Sequence, residues 1–131
     1  MPYTPESHPE ASPYRNAFRG RRVLVTGGAG FIGGHLAANL LRLGAQVNVL
    51  DDLSSGHRHR VAAGATFFEG SVLDRPLLRK AIAGCDLVFH EAAMVSVPQS
   101  VEQPERCAQV NILGTEQVLE EAVATKASRV L

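Results

Sequence analysis

The sequence has no tryptophan, only two cysteines and two tyrosines, and no formal net charge over its 131 residues. Because basic and acidic residues balance at 13 each, the charge does not favour nucleic acid or an acidic membrane surface as a partner. No run of about 18 apolar residues is present to form a membrane span, and the polar start is unlike a signal peptide. We therefore expect a cytoplasmic protein that binds neither nucleic acid nor membrane.

The scarcity of cysteine also bears on metal binding. Cys85 and Cys107 are too far apart in sequence to indicate a zinc site, and reduced thiols are expected in a cytoplasmic protein. His57 and His59 have no cysteine or acid nearby at ligand spacing. We therefore predict no metal site.

The beginning of the chain differs in composition from the rest. Residues 1–20 contain four prolines among serine, glutamate and histidine. Such a segment buries too little apolar area to fold by itself. We predict a disordered N-terminal arm over residues 1–20 and one folded domain over residues 21–131.

A glycine-rich turn follows the apolar run at residues 22–25 and precedes an amphipathic helical pattern. Gly27 permits a sharp turn off a strand, Gly30 leaves no Cβ in the way of a diphosphate, and Gly33 lets the helix pack closely. The free N–H groups of the helix N-terminus would face the anion. A glycine-rich hairpin is the alternative, but the strand before and the helix after favour a nucleotide-binding turn.

An acid follows at the distance expected for a dinucleotide site. Residues 46–50 alternate in polarity and end at Asp51, roughly 20 residues beyond the glycines, where a carboxylate can hold a ribose 2′-hydroxyl. A carboxylate repels a 2′-phosphate, so we predict NAD in preference to NADP. Arg58 and Arg60 are the nearby candidates for binding that phosphate, but in a polar loop we expect them to be solvated.

Strand and helix patterns alternate along the remaining sequence. This alternation predicts a parallel sheet with right-handed crossovers, a doubly wound α/β fold with helices on both faces. In the last predicted helix, Leu119 and Val123 widen the apolar stripe. The predicted strands cover residues 22–25, 46–50, 65–69, 87–90 and 128–131, and the predicted helices run over 32–43, between Asp74 and Gly84, and over 102–126.

Four motifs occur in a fixed order at residues 27–33, 51–56, 90–93 and 111–115. Together they resemble the extended short-chain dehydrogenase/reductase family, and within it the NAD-dependent sugar-nucleotide epimerases of the UDP-glucose 4-epimerase type. The resemblance extends from Arg21 to Leu131 and implies a Rossmann-type sheet. Dehydratases and decarboxylases of the same family are close alternatives.

The resemblance implies NAD as cofactor and a nucleotide sugar, such as a UDP-sugar, as substrate of the complete enzyme. It places the diphosphate at the glycine turn, the adenosine ribose at Asp51 and the nicotinamide end near Asn111. A structural role for Asn111 is the alternative, because asparagine within a helix often bonds to backbone. Dimerisation through the long helix is common in the family, which allows a homodimer. The predicted cofactor-binding residues are Gly27, Gly30, Phe31, Ile32, Gly33, Asp51, Ala92, Ala93 and Asn111.

Other side chains have less specific predictions. The family usually carries an acid at the adenine contact, where this chain has Ser71. His90 ends a predicted strand, and we expect a hydrogen-bonded structural imidazole rather than a catalytic one. We expect Glu120 and Glu121 to lie on a solvated helix face.

The chemistry of the family, by the resemblance, requires a tyrosine four residues before a lysine. Tyr3 and Tyr14, the two tyrosines, have no lysine in that position. We therefore predict no catalytic residue in this chain, which we expect to be truncated at the start of the fifth strand and to lack the substrate half. Two hypotheses follow: the cofactor-binding part of an epimerase or dehydratase, or a noncatalytic dinucleotide-binding or interaction module.

Overall fold

The computed structural model describes residues 14–131 and contains a five-stranded parallel sheet. The strand order is β3-β2-β1-β4-β5, so the direction of winding reverses between β1 and β4. In open sheets of this kind the crevice for a ligand lies at the carboxyl ends of the strands beside the reversal. The strands are β1 (Arg22–Thr26), β2 (Gln46–Asp51), β3 (Thr66–Glu69), β4 (Leu87–His90) and β5 (Arg129–Val130).

Six α-helices occur in the described residues, with one 3₁₀ turn at Arg58–Arg60. The N-terminus of the third helix is capped by Asp74, whose side chain accepts a hydrogen bond from the amide of Leu77. The helices are α1 (Arg15–Phe18), α2 (Phe31–Arg42), α3 (Arg75–Ile82), α4 (Val97–Glu102), α5 (Pro104–Ala108) and α6 (Gly114–Ala124). No helix among residues 14–131 is long and apolar enough to cross a membrane.

The sheet is covered on both faces, as the doubly wound prediction requires. Side chains alternate between the faces of a strand, so Val23 and Val25 of β1 pack with Ala37 and Leu40 of α2, while Leu24 points to the other side. On that other side the core contains residues of α3, β4 and α6: Leu78, Ala81, Ile82, Val88, Val118 and Ala122. The Rossmann-type fold is therefore confirmed.

Some residues predicted for the apolar stripes face outward. Ile32, the first apolar residue of the predicted helix over 32–43, is 66% exposed. The buried face of α2 is formed instead by Gly33, Gly34, Ala37 and Leu40. On α6, Val118 covers the sheet, whereas Leu119 and Val123 are 47% and 79% exposed. The prediction that these two residues widen the buried stripe was wrong, since one further residue turns a helical side chain by about 100°.

The long helix predicted over residues 102–126 is observed as a continuous helical run from Pro104 to Ala124, whereas residue 102 belongs to the separate helix α4. Gln103 has φ −130° and ψ 61°, outside helical values, and α5 begins at Pro104. Proline disfavours the helical conformation in the residue before it, which explains the break between α4 and α5. A π-helical turn at Gln109–Leu113 then joins α5 to α6.

The last part of the predicted N-terminal arm is folded. Residues 15–18 form α1, and Phe18 packs half-buried with its ring centroid 6.4 Å from that of Phe89. The folded unit therefore begins before residue 21, because an aromatic side chain at position 18 can cover the end of the sheet face. Residues 1–13 lie outside the described part of the chain.

An ion cluster joins α3 to α6. Glu121 is 2% exposed, and its carboxylate accepts hydrogen bonds from Arg75 Nε at 2.8 Å and from Arg79 Nε at 3.0 Å. These bonds, the one from Arg79 first, lower the pKa of Glu121 to about 2. Glu120 forms an exposed pair with Arg75. The predicted solvated face was therefore wrong for Glu121, because its arginine partners lie more than 40 residues away in sequence.

Candidate functional site

A cleft of about 530 Å³ opens at the carboxyl ends of β1, β2 and β4. Eight of the nine predicted cofactor-binding residues line it; Asn111 does not. The eight are Gly27, Gly30, Phe31, Ile32, Gly33, Asp51, Ala92 and Ala93. The reversal of strand order therefore brings together residues that are up to 66 positions apart in sequence.

Two glycines of the turn after β1 are required by the local geometry. Gly27 has φ +68°, and a Cβ there would lie 2.7 Å from the backbone nitrogen of Ala92. A Cβ on Gly33 would lie 2.3 Å from the carbonyl oxygen of Gly27, so the first turn of α2 rests directly on the glycine turn. Gly30 differs, because its Cβ would meet only one backbone oxygen, at 3.2 Å. The absence of a side chain at Gly30 leaves the backbone open to the cleft.

The N-terminus of α2 faces the same cleft. The helix begins after Gly30 without a side-chain cap, and its first turn contains no acid. The first N–H groups of a helix have no partner within the helix, and together they carry a partial positive charge. The cleft therefore offers uncapped donors to an anion at the point where Phe31, Ile32 and Gly33 line it.

Asp51 lies at the end of β2 and is 9% exposed. One carboxylate oxygen accepts a hydrogen bond from the amide of Ala29 at 2.9 Å, and the other accepts from the amide of Leu53 at 2.8 Å. Each carboxylate oxygen has a second lone pair. Asp51 thus fixes the glycine turn and still presents acceptors to the cleft.

The loop after β2 closes over the glycine turn. His57 donates its amide to the carbonyl of Ala29 at 2.9 Å, and Gly56 packs so closely that a Cβ would lie 2.9 Å from the Cβ of Ala29. Arg58 pairs with Glu69 at 2.7 Å and its guanidinium lies 4.9 Å from the ring centroid of Phe67. The Arg58 side chain is 68% exposed, so it is solvated as we expected.

Arg60, unlike Arg58, lines the cleft.

The rings of His57 and His59 stack with their centroids 5.4 Å apart. Among residues 14–131 no three histidine, cysteine or acidic side chains are grouped so that they could hold a metal ion.

His90, at the end of β4, is hydrogen-bonded on both ring nitrogens. Nδ1 lies 2.8 Å from Thr26 Oγ1, and Nε2 lies 3.0 Å from Thr115 Oγ1. Burial of the ring lowers the pKa of His90. The expectation that the imidazole is hydrogen-bonded is confirmed, and its structural role stays a prediction.

Asn111 lies in the π-helical turn and binds the segment after β4. Its Oδ1 accepts from the amide of Met94 at 2.8 Å, and its Nδ2 donates to the carbonyl of Met94 at 3.0 Å. Both ends of the side-chain amide are thus bonded to the backbone of Met94. This is the structural role that the sequence analysis gave as the alternative for Asn111. Contact with a cofactor stays a prediction for Asn111.

Several polar residues that line the cleft were not predicted. Ser71 does so, with its hydroxyl accepting from the amide of Leu73 at 3.1 Å. Three others come from α4, from the break at Gln103 and from α5, so no continuous helical spacing in the sequence indicates them. The unpredicted polar residues include Ser54, Ser55, Gln99, Gln103 and Arg106.

A parallel sheet with this strand order, a glycine turn after β1 and an acid at the end of β2 is the arrangement of Rossmann-type dinucleotide-binding domains. The sequence model of the NAD dependent epimerase/dehydratase family matches residues 23–131. The chain belongs to that family.

Individual relatives agree with the family. The UDP-glucose 4-epimerase of Streptomyces lividans is 42% identical over 102 residues, which are 76% of this chain and 31% of the relative. The structure of an epimerase from Methanothermobacter thermautotrophicus superposes with a TM-score of 0.85 at 37% identity, over 91% of this chain and 38% of that one. The Thermus thermophilus UDP-glucose 4-epimerase in complex with NAD gives a TM-score of 0.77 at 40% identity, over 83% of this chain and 36% of that one. The chain thus spans about a third of the length of these relatives.

Proposed function

We propose that this chain is the NAD-binding portion of a sugar-nucleotide epimerase or dehydratase. The observation that carries the proposal is the hydrogen bond that joins Asp51 to Ala29, because it sets the predicted ribose-binding acid beside the predicted diphosphate-binding turn. Family membership and a solved relative with bound NAD support the same conclusion.

The described residues fit a dinucleotide. The diphosphate would lie against the open backbone at Gly30 and the uncapped N-terminus of α2, where charge and hydrogen bonding both favour an anion. The adenosine ribose would use the remaining lone pairs of Asp51. Ala92 and Ala93 would form the opposite wall along the cofactor. When bound, NAD would supply a hydride acceptor to the complete enzyme.

NAD rather than NADP is the cofactor that the charges favour. A 2′-phosphate near Asp51 would meet a carboxylate in a mostly buried position, where repulsion is poorly screened. Arg58, one of the two nearby cations, is already paired with Glu69. Arg60 alone would offset that repulsion incompletely.

The substrate proposal concerns the complete enzyme. The relatives from Streptomyces lividans and Thermus thermophilus are named for UDP-glucose, so we propose a nucleotide sugar, such as a UDP-sugar, as the substrate. A hydroxyl of the sugar would be oxidised by NAD. We further propose a cytoplasmic protein with no nucleic-acid or membrane partner, given its balanced charge.

Calorimetric titration of the chain with NAD and with NADP tests the proposal. We expect saturable binding of NAD that is tighter than binding of NADP. Gly30→Val places a branched side chain where the diphosphate would lie, and we expect it to abolish binding while thermal unfolding shows that the variant is folded. Equal or tighter binding of NADP, or NAD binding that survives Gly30→Val, would contradict the proposal.

A further inference from the structure

A chain of hydrogen bonds runs through His90 and joins β1, β4 and α6 behind residues that line the cleft. On one side, Thr26 Oγ1 contacts His90 Nδ1 at 2.8 Å and accepts from the amide of Ala92 at 3.2 Å. On the other side, His90 Nε2 contacts Thr115 Oγ1 at 3.0 Å, and that hydroxyl donates to the carbonyl of Asn111 at 2.8 Å. The imidazole therefore lies between two threonine hydroxyls.

The direction of every bond in this chain follows from the supply of protons. Asn111 contributes a carbonyl oxygen, which can only accept, so the single hydroxyl proton of Thr115 is used there. Thr115 can then only accept from His90, which places a proton on Nε2. In the neutral ring Nδ1 is consequently an acceptor, and the hydroxyl proton of Thr26 points to it.

The two ends of this chain of hydrogen bonds hold the same segment of the protein, residues 91–96. Thr26 holds it at Ala92. Asn111, whose own carbonyl receives the Thr115 proton, holds it at Met94 through both ends of its side-chain amide. This segment forms one wall of the cleft, so the protonation state of one ring is connected to the position of that wall.

We propose that His90 is a positioning residue: its neutral tautomer with the proton on Nε2 fixes residues 91–96 in the conformation that accepts the cofactor. The part of this inference that concerns the cofactor rests on the proposed NAD-binding function. A doubly protonated ring would direct a second donor at Thr26, and the hydroxyl of this fully buried side chain would have to turn its proton away from Nδ1 to another acceptor.

The groups packed around the ring favour the neutral form. β1 contributes the hydroxyl of Thr26 and α6 the hydroxyl of Thr115, while Leu131, which follows β5, accepts from the His90 amide through its backbone oxygen. Glu91 and Glu116, which follow His90 and Thr115 in sequence, are exposed. Both ring nitrogens thus contact uncharged hydroxyls, and burial of the ring lowers the pKa of His90.

The tautomer can be observed directly in the free chain. In ¹⁵N NMR spectra of the full chain with labelled histidine, we expect His90 to be neutral at pH 7 with the proton on Nε2. His90→Asn identifies the signal by its loss. The amide signals of Ala92 and Met94 should shift together as His90 titrates. A proton on Nδ1, or amide signals that ignore the titration, would overturn the inference whether or not NAD binds.

The link to the cofactor is tested by the pH dependence of NAD affinity. We expect the dissociation constant of the wild type to rise several-fold as the pH falls below the ordinary histidine value of about 6.5. His90→Asn can retain an acceptor for Thr26, and we expect it to bind NAD without this pH dependence. His35→Asn, at an exposed histidine of α2, should keep the wild-type profile.

The two proposals fail in different ways. Absence of NAD binding by the wild type at every pH would contradict the proposed function while leaving the tautomer measurement decisive for His90. A His90→Asn variant with the same pH profile as the wild type would overturn the positioning role even though NAD binds.

Discussion

The Asp51 carboxylate accepts a hydrogen bond from the amide of Ala29 at 2.9 Å, which attaches the end of β2 to the turn that follows β1. Its other oxygen holds the amide of Leu53 at 2.8 Å. The acid that the sequence indicates for a ribose is therefore also part of the structure of the phosphate-binding turn. Substitutions at Asp51 should change both the stability of the turn and the choice of cofactor.

Asp51→Ala should narrow the ratio of NAD affinity to NADP affinity, because it removes both the hydroxyl acceptor and the repulsion of a 2′-phosphate. It should also lower the free energy of unfolding by about 2 kcal/mol, since two amides lose their acceptor. Asp52→Ala removes the same charge at an exposed position and should change the ratio less. Parallel calorimetric titrations and urea unfolding measure both effects. An unchanged ratio in Asp51→Ala would contradict the ribose assignment.

Gly30→Ala and Gly33→Ala should separate binding from folding. A Cβ at Gly33 would lie 2.3 Å from a backbone oxygen of Gly27, and we expect a loss of about 3 kcal/mol in stability from this overpacking. At Gly30 a Cβ would lie 3.2 Å from the same oxygen, a tight contact but a less severe one. Gly30→Ala should therefore lose less stability than Gly33→Ala but bind NAD more weakly, because the diphosphate would lie against Gly30. Thermal unfolding and calorimetric titration of both variants measure these effects. A larger loss of stability in Gly30→Ala than in Gly33→Ala, together with weaker NAD binding by Gly33→Ala, would contradict the assigned roles.

Local sequence patterns were sufficient for the fold and for eight of the residues that line the cleft. The spacing of Gly27, Gly30 and Gly33 and the position of Asp51 depend on short-range geometry, which a sequence shows directly. The burial of Glu121 depends on arginines of another helix, and the hydrogen bonds of His90 depend on β1 and α6. These partners belong to other elements and lie close together only in the folded chain. The spacing of residues along the sequence therefore does not predict them.

Glu121→Gln should lower the free energy of unfolding by about 2 kcal/mol, because it leaves Arg75 and Arg79 without the buried carboxylate that accepts their hydrogen bonds. Glu120→Gln is the matched control. It removes an exposed acid that also pairs with Arg75, and exposed pairs contribute about 1 kcal/mol or less. Equal effects of the two substitutions in urea unfolding would contradict the importance of burial.

The same cluster predicts a pH dependence of stability. The pKa of Glu121 is lowered from 4.5 to about 2 in the folded chain. A depressed acid stabilises the fold above its unfolded pKa, and that contribution is lost as the pH falls through the folded value. The difference in stability between wild type and Glu121→Gln should therefore decrease between pH 4.5 and about 2. A difference in stability that stays constant across this pH range would show that the ionised carboxylate of Glu121 is not the source of the additional stability of the wild type.

Self-association should involve the outer face of α6. Leu119 and Val123 of α6 are both exposed, and their spacing of four residues places them on one side of the helix. Exposed apolar surface of this kind favours association. Val123→Lys should shift the chain toward the monomer in sedimentation experiments, whereas Ala124→Lys, one position around the helix, should not. Monomeric wild-type chain at all concentrations would contradict the expectation.

The 131-residue chain by itself should not convert any UDP-sugar or dTDP-sugar, even when saturated with NAD. A positioned acid or base commonly contributes about 10² to 10⁴ in rate, and the sequence contains no tyrosine four residues before a lysine. Two further candidates are already engaged: both ring nitrogens of His90 are hydrogen-bonded, and the hydroxyl of Ser96, which lines the cleft, accepts from the amide of Gln99 at the start of α4.

The decisive assay incubates the purified chain with NAD and a panel of nucleotide sugars and measures both the epimer and NADH absorbance. Gly30→Val distinguishes turnover in the cleft from a contaminating enzyme, because it blocks the diphosphate position. We expect neither chain to give product above the protein-free blank. Product from the wild type that is lost in Gly30→Val would mean that a group within these 131 residues performs the proton transfer, and Glu91, which lines the cleft beside Ala92, would be the first to substitute.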